Sequence, residues 1–340
     1  MNTDIDFNID FSGLKPQGVA LVFPETEIHT PFAMPSKSRL CKTPSTKNGF
    51  TIELDMPMQD YLSMQQLSSG AIETQFYGGC GLELQHYLSN KKQPTKAMLK
   101  GTAVHGFIEA FVIGVSLDGF MSNYYLLPKT NRASKDATIA EIEAYCDVLG
   151  MIPDDTDGLK MAELKEMADG LKEMAAASMV TESDYETLKG TYSELLRRGD
   201  GLWWLREMVS EATIYDSYLR CRPDGLLFYT NENDELCAIV VSVKTTADVS
   251  RAGFAAKGYL PKEAHYRYII SKAFGIELKN VTTLFLFLGT VAPYLSREVV
   301  VTNDTAERYN GMYAEAMPKA VDAIINETFG GYEVDGVLEI

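Results

Sequence analysis

The sequence predicts an α/β (α+β) fold, a central mixed β-sheet flanked by helices and carrying a helical insertion, on three observations. The first is the stretch 220–248, RCRPDGLLFYTNENDELCAIVVSVKTTAD, where two runs rich in aliphatic, aromatic and β-branched residues flank the polar turn Asn231-Glu232-Asn233-Asp234. That is the pattern of a β-hairpin. The second is VTTLFLFL at 281–288, an unbroken apolar run of strand length that reads as a strand covered on both faces. The third is order: helical patterns precede, separate and follow these strands, as a sheet layered with helices requires.

Along the chain, residues 1–57 show little periodicity and read as an extended arm with short strands at 19–23 and 50–54. From Met58 the pattern turns helical. Ser68 or Ser69 caps a helix through Ile72 and Phe76, Gly78-Gly79 breaks it, and 82–88 forms another. In TKAMLKGTAVHGFIEAFVIG, residues Met98, Val104, Ile108, Phe111 and Val112 recur at helical spacing. His105 and Glu109, four apart, share one side of that helix. They form either a surface pair or, through a free ring nitrogen, part of a metal site.

Residues 131–209 read as an acidic helical insertion, with helices at 138–149, 159–174 and 181–197 and with Trp203 and Trp204 packing it back on the core. Its stripe of Leu159, Met161, Leu164, Met167, Ala168 and Leu171 reads as helix–helix packing. Glu211 leads into a short strand at 212–215. Beyond the hairpin, PKEAHYRYIISKAF at 261–274 is a helix stopped by Gly275. A strand at 298–302, a closing helix at 305–328 and a short tail complete the chain.

With 340 residues, 46% hydrophobic and 23% charged, the composition is that of a soluble globular protein of one large or two small domains. No apolar run approaches the roughly 20 residues that span a bilayer. The acidic start lacks the order of a signal peptide. Five scattered cysteines (41, 80, 146, 221 and 237), none in a CxxC pair, indicate a reducing compartment and no structural zinc site. A net charge of −16 opposes a nonspecific nucleic-acid coat, while leaving room for a DNA enzyme with a local basic groove. Much of the acid lies at 136–194, away from any DNA path.

The chemistry concentrates in the hairpin. Alternation along the second strand places Ser242 and Lys244 on one face and Ile239, Val241 and Val243 on the other. The first strand reads as 218–229, interrupted by Asp224 after Pro223, and Lys244 ends the second. A carboxylate and an ammonium at the ends of neighbouring strands make either a rim salt bridge or a metal-and-water site.

LSSGAI at 67–72, TKAMLKGTAVHGFIEAFV at 95–112, SEAT at 210–213, RCRPDGLLF at 220–228 and VSVKTTADV at 241–249 occur in an order that resembles the PD-(D/E)XK nucleases of the phage recombination-exonuclease, exonuclease VIII-like branch. The resemblance covers residues 58–340. It implies that His105 and Asp224 ligate a metal, that Lys244 positions the attacking water, and that Glu211 is the acid preceding the hairpin. It implies Mg²⁺, with Mn²⁺ as the alternative ion. The activity implied is 5′-to-3′ degradation of linear double-stranded DNA ends by a homo-oligomer in the host cytoplasm, serving phage or prophage recombination with a single-strand annealing protein as partner. Basic residues expected on the DNA are Arg222, Arg251, Lys257, Lys262 and Arg267, the last four lining a channel together with Lys244.

Two positions depart from the family. Ser242 stands where an Asp or Glu is expected two residues before the lysine, and Lys262 stands where the next helix carries a glutamine. A hydroxyl is a weaker, neutral ligand, so the missing charge comes from Glu211, Glu109 or Asp248, or else the site is degenerate. In the second case the molecule is a nuclease-fold protein that binds DNA or a host protein as a regulator or inhibitor, and metal-induced thermal stabilisation separates the two.

Overall fold

The computed structural model describes residues 33–331, apart from 77–78, 91–95, 128–131, 133, 154 and 176–178. The expected strand at 19–23, the Gly78 break and most of the terminal tail lie outside the described residues. By contacts the chain divides into Met1–Met34 and Pro35–Ile340, and the second unit is the one described below.

The strands are β1 (Leu40–Cys41), β2 (Thr51–Glu53), β3 (Tyr125–Leu127), β4 (Met179–Thr181), β5 (Val209–Ser210), β6 (Thr213–Tyr215), β7 (Arg220–Cys221), β8 (Gly225–Thr230), β9 (Leu236–Thr246), β10 (Val281–Gly289) and β11 (Ser296–Val300). Before the insertion come helices α1 (Met58–Ser63), α2 (Ser69–Glu73), α3 (Gly81–Ser89), α4 (Lys96–Val112) and α5 (Leu117–Met121). The insertion holds α6 (Lys135–Leu149), α7 (Met161–Ala175) and α8 (Glu182–Arg198). After the hairpin come α9 (Ala252–Ala256), α10 (Leu260–Phe274) and α11 (Asn303–Ile325).

A six-stranded mixed sheet forms the centre, in the order β1-β8-β9-β10-β11 with β5 also on β8. The hairpin pairs β8 with β9 antiparallel, from Thr230↔Leu236 to Gly225↔Val241. β9 and β10 run parallel, which requires a crossover, and α9 and α10 provide it. β10 is buried along its length except at Thr282, as an apolar run between two strands should be. Residues 40–41 and 51–53 belong to sheets: β1 lies on the outer edge of β8, and β2 pairs with β6.

The stretch 218–229 is not one continuous strand. Pro223 has no amide to give a ladder, so the chain breaks there. Arg220 and Cys221 turn away to pair with β6 in a separate three-stranded sheet, while β8 begins only at Gly225. β9 continues past Lys244 to Thr246.

Helix α10 is buried almost all round, because it lies between the sheet and α11. Its Ala264, Ile269, Ile270, Ala273 and Phe274 share one core with Leu226, Phe228, Ala238 and Val240 of the sheet and with Tyr313, Ala316 and Ala320 of α11. The insertion has its own small core, in which Ile142, Tyr145 and Cys146 of α6 meet Leu164, Ala168 and Leu171 of α7. Thr181 caps α8 by accepting from the Asp184 amide at 3.1 Å.

The end of the insertion is fastened to β11. Arg198 Nη2 and Trp204 Nε1 donate to the two carboxylate oxygens of Glu298 at 2.6 and 3.1 Å, and Ser296 donates through its amide and hydroxyl to Glu194. All five cysteines are free, with Cys146, Cys221 and Cys237 buried. Among the described residues, no helix is long and apolar enough to cross a membrane.

Candidate functional site

Asp224 occupies the corner that opens β8. At the next residue, Gly225, a Cβ would crowd the Met208 side chain. One step beyond the Gly225↔Val241 pair, Asp224 comes level with Ser242. Its Oδ2 accepts the Val243 amide at 2.6 Å and lies 3.5 Å from Lys244 Nζ. Its Oδ1 lies 3.4 Å from His105 Nδ1. Helix α4 brings His105 there by packing tightly on the end of β9, where a Cβ on Gly101 would touch Thr245 Oγ1 at 3.4 Å.

Glu211 sits between β5 and β6 with φ at +50°, a left-handed conformation that a glutamate rarely adopts. Its amide donates to the Asp224 carbonyl at 3.4 Å, and its carboxylate accepts Arg222 Nε at 2.7 Å. The result is a cluster. His105, Glu211 and Asp224 each present one ligand atom, all within 4.8 Å of one another.

The electrostatics of the cluster are uneven. Burial works against the charge of Asp224, but Lys244 and His105 outweigh it and hold the carboxyl well below the ordinary carboxylate range. Glu211 goes the other way: burial, then Asp224 and Glu109, push it up to about 7, against Arg222. Burial also raises Glu109, against the pull of Arg222 and His105. Three acids crowding one place, two of them reluctant to ionise, is an environment that a cation relieves.

Lys244 is buried and well held. Its Nζ donates to Ser242 Oγ at 2.6 Å and to the Val243 carbonyl at 2.9 Å, and it lies 5.2 Å from the centre of the Tyr259 ring. Ser242 is fully buried beside it. Asp248, expected as a source of the missing charge, is instead an exposed cap, its Oδ1 accepting the Ser250 amide and hydroxyl at 2.9 and 2.6 Å.

The basic residues expected on DNA separate into two groups. Arg251 and Lys257 are exposed. Arg222 is not available, because its guanidinium is held by Glu211 and the Met56 carbonyl. Nor is Arg267, which is buried and donates to the Val281 and Leu278 carbonyls, tying α10 to β10. Lys262 is half-buried, with Nζ 5.0 Å from the centre of the Tyr266 ring. Desolvation disfavours its charge, but Asp224 and Glu263 more than offset this. A channel lined by the whole set is therefore corrected to two exposed cations beside a closed polar network.

Sequence reasoning misses Glu263. It lies in the first turn of α10 and is 1% exposed. The signal for it is its place in a stripe with Tyr266, Ile270, Ala273 and Phe274, where an apolar residue is normal.

No family model matches the sequence, and no curated protein matches it. A crystal structure from Eubacterium rectale, provisionally described as an exonuclease, aligns over 85% of this chain and 96% of its own, at 13% identity and a TM-score of 0.46. So distant a likeness decides nothing about the chemistry, which rests on the geometry above.

Proposed function

We propose that the protein is a divalent-metal-dependent nuclease of the PD-(D/E)XK type, acting on the ends of linear double-stranded DNA. The observation that carries this reading is the convergence of Asp224, Glu211 and His105, with Lys244 on the second oxygen of Asp224. Those three residues would hold the ion. Two carboxylates and one imidazole suit Mn²⁺ and, with waters completing the shell, Mg²⁺. When bound, the ion lowers the pKa of a water and offsets phosphate charge.

The chain's own residues do the rest. Lys244, anchored by Ser242 and Val243, holds its ammonium where charge builds on the scissile phosphate. Arg222 fixes Glu211, and the Val243 amide fixes Asp224, so both carboxylates are set before substrate arrives. The resemblance described above adds 5′-to-3′ polarity, an annealing-protein partner, a homo-oligomer around the DNA, and a phage or prophage protein working in the host cytoplasm.

A second reading, a degenerate site in a protein that binds DNA or a host protein as a regulator or inhibitor, is favoured by Ser242, a neutral hydroxyl where the family carries an acid. Incubation of linear duplex DNA with Mg²⁺ or Mn²⁺ separates the two. The nuclease reading expects digestion that falls about 10²–10³-fold in Asp224→Asn and in Lys244→Met, with both variants folded by circular dichroism. A folded, inert wild type that gains cleavage as Ser242→Asp would establish the degenerate reading.

A further inference from the structure

One acid near this centre has no structural employment. Both carboxylate oxygens of Glu263 are buried without a well-formed hydrogen bond, and the donor that acts on them is the Ser242 hydroxyl. A carboxylate taken from water and so sparsely bonded is costly to the fold, and folds seldom retain one without a use.

Its position points to the use. By alternation, Ser242 and Lys244 lie on the face of β9 that also carries Ala238 and Val240. That is the face on which α10 packs, since Ala238 and Val240 share a core with Ala264 and Ile270. Glu263 therefore approaches β9 from the helix side, beside Ser242. Burial raises its carboxyl, while Lys244, Lys262 and Ser242 act to keep it charged and Asp224 opposes them. Ser242 is the small residue that leaves room. Its oxygen accepts from Lys244, and its hydroxyl hydrogen remains to be given.

We propose that Glu263, on helix α10, supplies behind the metal site the negative charge that Ser242 lacks on strand β9. Glu263 is a positioning residue. It lies outside the His105–Glu211–Asp224 cluster and acts through Ser242 and Lys244, balancing the ammonium so that Asp224 is left free for the ion. This inference rests on the nuclease reading.

The test reads metal binding without DNA, by titrating the full chain with Mn²⁺ and following free Mn²⁺ by electron paramagnetic resonance. Glu263→Gln is expected to weaken Mn²⁺ binding about 10–100-fold, the usual effect of losing a partner behind the ligands. Ser242→Asp placed in the Glu263→Gln background is expected to recover most of that loss. Placed in wild type it is expected to gain much less, because the charge is already present.

Unfolding midpoints without metal report whether each variant folds, and Glu263→Leu carries the same comparison if the glutamine variant does not. Wild-type affinity in a folded Glu263 variant would overturn this proposal and leave the nuclease reading standing. Recovery that fails in the double variant would overturn it equally. A wild type that binds no Mn²⁺ would overturn both.

Discussion

Two regions of this protein bury a glutamate and treat it in opposite ways. In the helical insertion, Glu141 of α6 is 3% exposed and fully engaged. Arg132 clasps it with Nε and Nη2 at 2.7 and 2.8 Å, and Tyr145 donates its hydroxyl at 2.8 Å. In the core, Glu263 of α10 is buried as deeply, with no clasp of donors and only the Ser242 hydroxyl acting on it. The first arrangement is closed: the charge is neutralised locally, and the pair holds α6 in place. The second is open, and its charge is left to act on what lies beside it. Burial alone does not distinguish a structural acid from a working one, but how fully donors engage it does.

The largest expected effect tests the closed arrangement. Arg132→Met leaves Glu141 buried without its ion-pair partner and should cost about 3–5 kcal/mol in urea unfolding. A loss near zero would mean that the fork contributes nothing and that the two glutamates differ less than their contacts suggest.

A smaller effect concerns a third buried group, His265. Its nitrogens are bonded to the Tyr313 hydroxyl at 3.0 Å and the Arg220 carbonyl at 2.8 Å. Burial lowers its pKa from 6.5 to about 4. The unfolded chain therefore takes the proton first as the pH falls. The stability contributed by neutral His265 is complete above pH 6.5 and is lost on the way down to pH 4, about 3 kcal/mol in all. Glu211, raised to about 7, works in the opposite direction. The informative quantity is thus the difference in unfolding free energy between wild type and His265→Gln across that range, and a difference that does not change with pH would refute the assignment.

The smallest effect sharpens the contrast directly. Without metal, Glu263→Gln should change stability by no more than about 1 kcal/mol, since the cost of burying the charge and its attraction to Lys244 and Lys262 oppose each other. A loss comparable to that of Arg132→Met would place Glu263 among the closed structural acids.

Much of the fold is legible in the sequence alone. The period-2 pattern puts Ser242 and Lys244 on one face, and the apolar run at 281–288 announces a covered strand. The Thr181 cap marks the start of α8 to within a residue. The cluster of His105, Glu211 and Asp224 comes from three segments, and no local pattern brings them together.

The arginines are misread because a basic residue looks the same in sequence whether it is solvated or bonded to carbonyls. Arg267 can be placed only once α10 is known to be enclosed on both sides. Glu263 is hidden by its neighbour: Lys-Glu after a proline looks like an exposed first turn, and only the packing of that turn beneath β9 makes it otherwise. Arg220 and Cys221 join the hairpin only when apolar content is weighed above the missing amide of Pro223.

The fastening of the insertion to β11 has a mechanical consequence. Glu298 takes Arg198 with one oxygen and Trp204 with the other, so the end of the acidic helices is riveted to an edge strand rather than hung from a hinge. β11 is bonded to β10 from Leu284 to Leu288, and β10 to β9 alongside Lys244. A load applied to the insertion is thus carried across two hydrogen-bonded ladders to the strand that bears the lysine, and the helices act as a buttress for that strand.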